Sequence, residues 1–178
     1  MTASDDQLVC GARGGDAAAF AALVERHYDR IYRIGYRVLG RRAEAEDLAQ
    51  DICAALPRKL AAYRGDARFT TWLHSVVVNG ARDRLRRQTT QARAADGWAE
   101  IQALRGAAAA DLADDRAWLT AALRSLDPAL RETVALVLGE DMNHAEAARA
   151  LGISEGTVSW RLSEVRKRLR ALAEEERI

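Results

Sequence analysis

Apolar residues recur every three or four positions through most of this sequence, but the recurrence lapses across residues 88–114. A 3.6-residue period gives a helix one stripe to bury. Two such stretches joined by a segment without a stripe therefore specify an all-α chain of two small helical domains and a flexible linker. The boundaries expected are 1–87, 88–114 and 115–178. In the first stretch Phe20, Leu23, Val24, His27, Ile31, Ile34 and Val38 share a helix face, and Gly40 ends the run. A second helix is expected from about Ala43, with Leu48, Ile52, Leu56 and Leu60 inward and a kink or early end at Pro57. After the loop Tyr63-Arg64-Gly65-Asp66-Ala67, a third helix is expected from about Phe69 to Arg87. Its Val76-Val77-Val78 triplet has β propensity. Phe69, Trp72, Leu73, Val76, Val77 and Leu85 nevertheless keep helical spacing, and the period outweighs the propensity.

The linker is rich in Ala, Gln and Asp and contains Gly97 and Gly106, with a transient helix expected around Trp98 to Leu104. Beyond it, Trp118, Leu119, Ala122, Leu123 and Leu126 mark a helix. Asp127-Pro128 then supplies an N-cap and a proline at the first helical position. The next helix is expected to bury Leu130, Val134, Val137 and Leu138 and to end near Gly139. Asn143 with Glu146 forms a capping-box start for a short helix through Leu151. Gly152-Ile153 makes a tight turn, and Ser154 caps the last helix. Residues Asn143 to Leu172 thus have the proportions of a helix-turn-helix. Val158, Leu162, Val165, Leu169 and Leu172 define the buried face of its second helix, opposite Gly156, Trp160, Ser163, Glu164 and Lys167. Arg161, Arg166, Arg168 and Arg170 flank that face, where they could reach phosphates. Taken alone, the segment also fits a solvated basic face on a helical hairpin.

Composition narrows the function classes. The 178 residues carry 27 basic and 26 acidic side chains, a net charge of +1. That argues against a general nucleic-acid coat and leaves room for local basic patches. Cys10 and Cys53 make no disulfide framework and have no Cys or His at metal-ligand spacing, so a reducing cytoplasm is the expected setting. No apolar run reaches the roughly 18–20 residues of a membrane span, and the N-terminus has no signal-peptide pattern. No Gly-rich phosphate loop, His-Glu zinc pair or nucleophile elbow is present. His27, His74 and His144 are scattered, and the acidic groups are expected on solvated helix faces rather than in a buried pair suited to acid–base work. No enzymatic activity, metal or cofactor is expected.

Several strings acquire meaning through their order. Ala45-Glu46-Asp47-Leu48-Ala49-Gln50-Asp51 is followed by Tyr63-Arg64-Gly65-Asp66-Ala67-Arg68-Phe69-Thr70-Thr71-Trp72-Leu73, then by Val78-Asn79 and Asp83-Arg84-Leu85-Arg86-Arg87. Together they resemble region 2 of the extracytoplasmic-function (ECF) subgroup of sigma-70-type factors. Ser154-Glu155-Gly156-Thr157-Val158 with Arg161-Leu162 resembles the recognition helix of their region 4. The resemblance covers about residues 16–87 and 116–172. It implies a transcription initiation factor that directs core RNA polymerase to promoters under the control of an anti-sigma factor. Arg41, Glu46, Asp47, Gln50 and Asp51 correspond to the surface that docks on the polymerase β′ clamp, and region 4 to the part that docks on the β flap. Tyr63, Arg64, Gly65 and Asp66 correspond to the loop that captures a flipped −10 base, although Tyr63 also fits a core position. Asn79, Arg82, Arg86 and Arg87 correspond to −10 strand contacts. Ser154, Gly156, Thr157, Ser159, Trp160, Arg161, Ser163, Glu164, Arg166 and Lys167 correspond to the −35 surface. The resemblance also implies that the linker threads toward the polymerase active-site channel. Ser159, Trp160 and Glu164 depart from the usual pattern, so no −35 sequence carries over. Trp160 fits either thymine methyls or a protein contact. Phe69 and Trp72 are expected to pack, and Cys53 to be a small buried hydrophobe. The competing reading is a stand-alone helix-turn-helix regulator with an N-terminal sensing domain. A third is an adaptor that sequesters an anti-sigma factor.

Overall fold

The structure is a computed structural model that describes residues 3–94 and 121–175. Among the described residues the regular structure is helical. Four helices make the N-terminal part: α1 (Asp5–Arg13), α2 (Ala17–Leu39), α3 (Arg42–Ala61) and α4 (Phe69–Ala94). The apolar pattern did not announce α1. Its signal is the capping box of Ser4 and Gln7, whose reciprocal hydrogen bonds of 2.8 and 3.2 Å start a helix that buries Leu8 and Val9. The Asp16 carboxylate accepts from the Ala18 and Ala19 amides to start α2, which ends at Gly40 in the left-handed region, φ 76°.

Two expectations about the N-terminal part need correction. Helix α3 runs through Pro57 to Ala61 instead of ending early. Pro57 lies on the exposed side, and the buried Leu56 and Leu60 beside it anchor the last turns. Helix α4 continues past Arg87 to Ala94, into the segment expected as linker. A helix already nucleated in a core extends at little cost without an apolar stripe. The Thr89 and Thr90 hydroxyls also donate back to the Leu85 and Arg86 carbonyls at 2.9 and 3.0 Å. The rest of the linker, including Trp98 to Leu104, and also Trp118 and Leu119, lies outside the described residues.

Residues 121–125 are helical and place Ala122 and Leu126 inward. Then follow α5 (Pro128–Val137), α6 (His144–Leu151) and α7 (Glu155–Glu175). Pro128 opens α5 as expected. Asp127, however, makes no side-chain cap, and its carboxylate accepts instead from Arg168 Nη1 at 2.7 Å. Asn143 and Glu146 form the expected capping box, and Gly152 turns the chain at φ 68°. The α7 stripe is as expected, with Val158, Leu162 and Val165 buried and Leu169 and Leu172 half-buried.

The inward face of α5 is not the one expected. Leu138 is 67% exposed and Val134 and Val137 are only half-buried, whereas Glu132, Thr133, Ala135 and Leu136 are buried. The reason is long-range packing: α5 lies against α2 and α4, and α6 lies against α4. One cluster of buried side chains therefore runs through both parts, from Leu8, Ile31, Ile34 and Val77 to Leu136, Met142, Leu151 and Leu162. A smaller cluster of Leu126, Leu130 and Val165 ties α5 to α7. Stripe-by-stripe reading assigns each helix to its own domain and cannot see a face that another domain covers.

Candidate polymerase and DNA interfaces

Helix α3 turns Ala45, Leu48, Ala49 and Ile52 inward, which places Glu46, Asp47, Gln50 and Asp51 together on the solvent side. Arg41, just before the helix, is exposed and donates to Glu44 at 3.3 Å. Asp51 pairs with Arg84 of α4 but keeps a side chain 74% exposed. Glu46, Asp47, Gln50 and Asp51 thus form one acidic and amide face of α3, with the exposed Arg41 preceding the helix.

The loop after α3 divides into a buried and an exposed half. The Tyr63 ring is buried, at edge and tilted geometry to Phe69 and Trp72 with centroids 5.9 and 5.2 Å apart, and its hydroxyl donates to the Ala67 carbonyl at 2.6 Å. Burial, then the charges of Asp6, Asp5 and Asp66, raise the pKa of its phenol. Tyr63 is therefore a packing residue that shapes the loop. Arg64, Gly65 (φ 82°) and Asp66 are exposed. Arg64 and Gly65 border a cleft of about 720 Å³ whose far wall is α1, with Asp6, Cys10 and Arg13. Arg13 Nη1 donates to the Tyr63 carbonyl at 3.3 Å. Sequence reasoning missed this wall, and the Ser4-x-x-Gln7 cap was the available signal.

Asn79, Arg82 and Arg86 follow one another at i, i+3 and i+7 along α4 and so share a face. Asn79, Arg86 and Arg87 are exposed, with Arg86 3.9 Å from Asp83. Arg82 is half-buried: its Nε and Nη2 donate to the two oxygens of Glu132 at 2.9 and 2.7 Å, and this bond raises its pKa further.

On α7 the Ser154 hydroxyl accepts from the Thr157 amide at 3.1 Å. Gly156, Ser159, Trp160, Ser163, Arg166 and Lys167 are exposed, with Trp160 at 63%. Ser159 also meets His144 Nδ1 at 3.0 Å across the helix-turn-helix. Two of the flanking arginines are already engaged. Arg161 Nη1 turns inward to the Ala129 carbonyl at 3.2 Å, and Arg168 binds Asp127 and, at 3.0 Å, Glu164. Glu164 is half-buried by that i,i+4 pair, which leaves its carboxylate less available to a base.

The expectation that acidic groups lie only on solvated faces fails at two positions. Glu132 is 3% exposed, and the Glu140 side chain is 4% exposed with Arg30 Nε at 2.9 Å and Arg37 Nη1 at 3.0 Å. Two histidines sit nearby. His27 Nδ1 accepts from Arg30 at 3.3 Å, so its Nε2–H donates to Asp5 at 3.0 Å. Burial lowers the His27 pKa against the pull of Asp5. For Asp5, the hydrogen bonds from Arg26 and His27 outweigh the opposing effect of burial and lower its pKa. Among the described residues, no helix is long and apolar enough to cross a membrane, and no group of three or more His, Cys, Asp or Glu is placed to hold a metal.

Comparison with known proteins identifies the scaffold. Residues 23–91 match the family model for sigma-70 region 2, and residues 122–171 match that for sigma-70 region 4. The chain is 33% identical over 178 residues to the ECF RNA polymerase sigma factor SigM of Mycobacterium tuberculosis, covering 95% of this chain and 84% of SigM. It belongs to the ECF sigma factors of the sigma-70 family. Its likeness to the RNA polymerase sigma factor CarQ of Myxococcus xanthus is 35% over 164 residues, 90% of this chain and 92% of CarQ. A solved structure of CnrH in complex with the cytosolic domain of CnrY matches at TM-score 0.69 and 25% identity, over 96% of this chain and 97% of CnrH. The sigma factor RpoE of Bartonella quintana, solved with the anti-sigma factor NepR, shares the fold at TM-score 0.67 and 21% identity. As a sigma factor the protein is a transcription initiation factor that acts with core RNA polymerase on promoter DNA, and it is not an enzyme. The acidic α3 surface, the loop and α4 as far as residue 91 fall inside the region 2 match, and α7 as far as residue 171 falls inside the region 4 match.

Proposed function

We propose that the sigma factor divides promoter recognition between its two regions, with residues 1–87 and 115–178 as the working domains and the intervening segment as their tether. Arg41, Glu46, Asp47, Gln50 and Asp51 dock on the β′ clamp, where a solvent-facing acidic and amide surface complements a basic partner. Arg64, Gly65 and Asp66 receive an extruded −10 base, held in place by the buried Tyr63. Asn79, Arg82, Arg86 and Arg87 track the −10 strand, with Asn79 reading a base and the arginines on phosphates. Region 4 docks on the β flap and lays the exposed face of α7 in the −35 major groove through Ser154, Gly156, Thr157, Ser159, Trp160, Ser163, Arg166 and Lys167. Arg161 supports the α5–α7 contact and reaches DNA only by giving up the Ala129 carbonyl. The protein works in the cytoplasm, and an anti-sigma factor holds it inactive, as the complex of RpoE with NepR suggests by analogy.

The observation that carries this reading is the coincidence of the α3 acidic surface with the region 2 match. Asp47→Ala combined with Asp51→Ala is expected to weaken binding to core polymerase at least about tenfold with an unchanged circular dichroism spectrum. Unchanged core affinity would remove the docking assignment. Run-off transcription with purified core polymerase separates the wider alternatives. A stand-alone regulator binds its operator tightly without core, and an adaptor supports no promoter-dependent transcript.

A further inference from the structure

Two carboxylates of region 4 are buried against region 2, Glu132 held by one arginine of that region and Glu140 by several. Glu132 of α5 takes the Arg82 guanidinium as a two-pronged fork at 2.9 and 2.7 Å. The remaining nitrogen of Arg82, Nη1, reaches Asn79 Oδ1 at 3.3 Å and the Leu151 carbonyl of α6 at 3.5 Å. All three guanidinium nitrogens thereby have partners within the protein, on a side chain that is 30% exposed. Just beyond α5, Glu140 collects Arg30 and Arg37, with Arg33 at 4.0 Å, and Arg37 Nη1 also donates to the Gly139 carbonyl at 3.0 Å. Region 4 reaches the base-capture loop as well: Arg149 and Ala150 of α6 border a cavity of about 370 Å³ with Ala62, Tyr63, Asp66 and Trp72.

Buried carboxylates are costly without good partners. A carboxylate and a phosphate offer a guanidinium the same fork of anionic oxygens. Arg82 therefore has two mutually exclusive partners of one chemistry, and in this arrangement region 4 holds it.

We propose that Glu132 and Glu140 form an autoinhibitory latch: they clamp region 4 onto region 2 and withhold Arg82 from promoter DNA until core polymerase draws the regions apart. The masking half of this inference rests on the assignment of Arg82 to the −10 strand, while the latch itself rests on the contacts alone.

The test uses the full chain with Glu132→Gln and Glu140→Gln, isosteric changes that keep hydrogen-bonding capacity and remove the charge. Small-angle scattering reads opening, and fluorescence anisotropy with a labelled single-stranded 20-mer of mixed sequence reads DNA binding. The double variant is expected to have a larger radius of gyration than the wild type and to bind the oligonucleotide at least about fivefold more tightly. Adding Arg82→Ala should return affinity to the wild-type level while the chain stays open. An unchanged radius of gyration overturns the latch. An opened chain with unchanged DNA affinity overturns the masking of Arg82, and run-off transcription by that same variant shows separately whether promoter function survives. Should the double variant lose its helical circular dichroism, Arg82→Glu with Glu132→Arg replaces it. The reversed pair should close the chain while each single change leaves it open, and additive effects without rescue refute the pairing.

Discussion

Acidification offers a direct test of how the two regions are joined. His74 of α4 is 5% exposed, and its Nδ1 lies 3.1 Å from the Met142 thioether of region 4. A thioether only accepts, so Nδ1 carries the proton. Nε2 then presents a lone pair without a hydrogen-bond partner, 3.8 Å from Glu140. Burial, partly countered by Glu140, lowers the pKa of this imidazole from 6.5 to about 4. Between those values the unfolded chain binds the proton and the folded chain does not. The stabilisation is therefore complete above the unfolded pKa and is lost as pH falls toward the folded one. At about pH 5 the loss works out to about 2 kcal/mol, approaching about 3 kcal/mol below pH 4. Urea denaturation at about pH 7.5 and about pH 5 measures it, with His74→Gln as the reference that lacks the titrating ring. The buried His27, whose pKa is also lowered, acts in both proteins and cancels in the comparison. Wild type should lose about 2 kcal/mol more than His74→Gln across that interval. Parallel losses in the two proteins would refute the claim that a neutral His74 is sealed between the regions.

Other substitutions probe separate parts of the argument. A Cβ on Gly139 would stand 2.3 Å from the Ala135 carbonyl oxygen and 2.5 Å from Arg37 Nη1. Gly139→Ala should therefore cost about 1–3 kcal/mol in a urea titration, and an unchanged midpoint would show that this turn does not hold region 4 against α2. Trp160→Ala removes a 63% exposed indole and should leave stability within about 0.5 kcal/mol while altering −35 preference in run-off transcription. If promoter choice and transcript yield are both unchanged, Trp160 does not read DNA.

How much was legible in the sequence depended on the range of the interaction that fixed each feature. The capping box at Asn143, the Gly152 turn and the stripe from Val158 to Val165 are set within one or two turns of helix, and they stand as expected. The acidic face of α3 follows from helical spacing once Leu48 and Ile52 are inward. The α5 face did not follow, because Leu136 and Glu132 are buried by helices some fifty or more residues away in the chain. Leu138 was misread for the same reason: it has the right residue type for a core but lies on the side that region 2 leaves open. Tyr63 had both readings available, and a carbonyl four residues on, invisible to apolar periodicity, decides for packing. Extending α4 to Ala94 required no apolar signal, since propagation from a nucleated helix depends on propensity.

The chemistry of the interface bears on whether it can open. A junction made of Leu136, Met142, Leu151 and their apolar neighbours alone would open only by exposing that surface to water. Here the same junction also carries Glu132 and Glu140, and separation returns both carboxylates to solvent, where they no longer need arginine partners. In the proposed exchange, a phosphate would take the place of Glu132 on Arg82, so no buried charge would be orphaned at either end. The ionic contacts thus make the closed arrangement specific and the open one accessible. Replacing Glu132 and Arg82 together by leucines should then stabilise the closed chain, because a buried ion pair is often no better than a well-packed apolar substitute. Such a chain should unfold at higher urea yet initiate transcription poorly with core polymerase. A double-leucine chain that is less stable than wild type would show that the pair contributes net stability, and the exchange argument would lose its energetic basis.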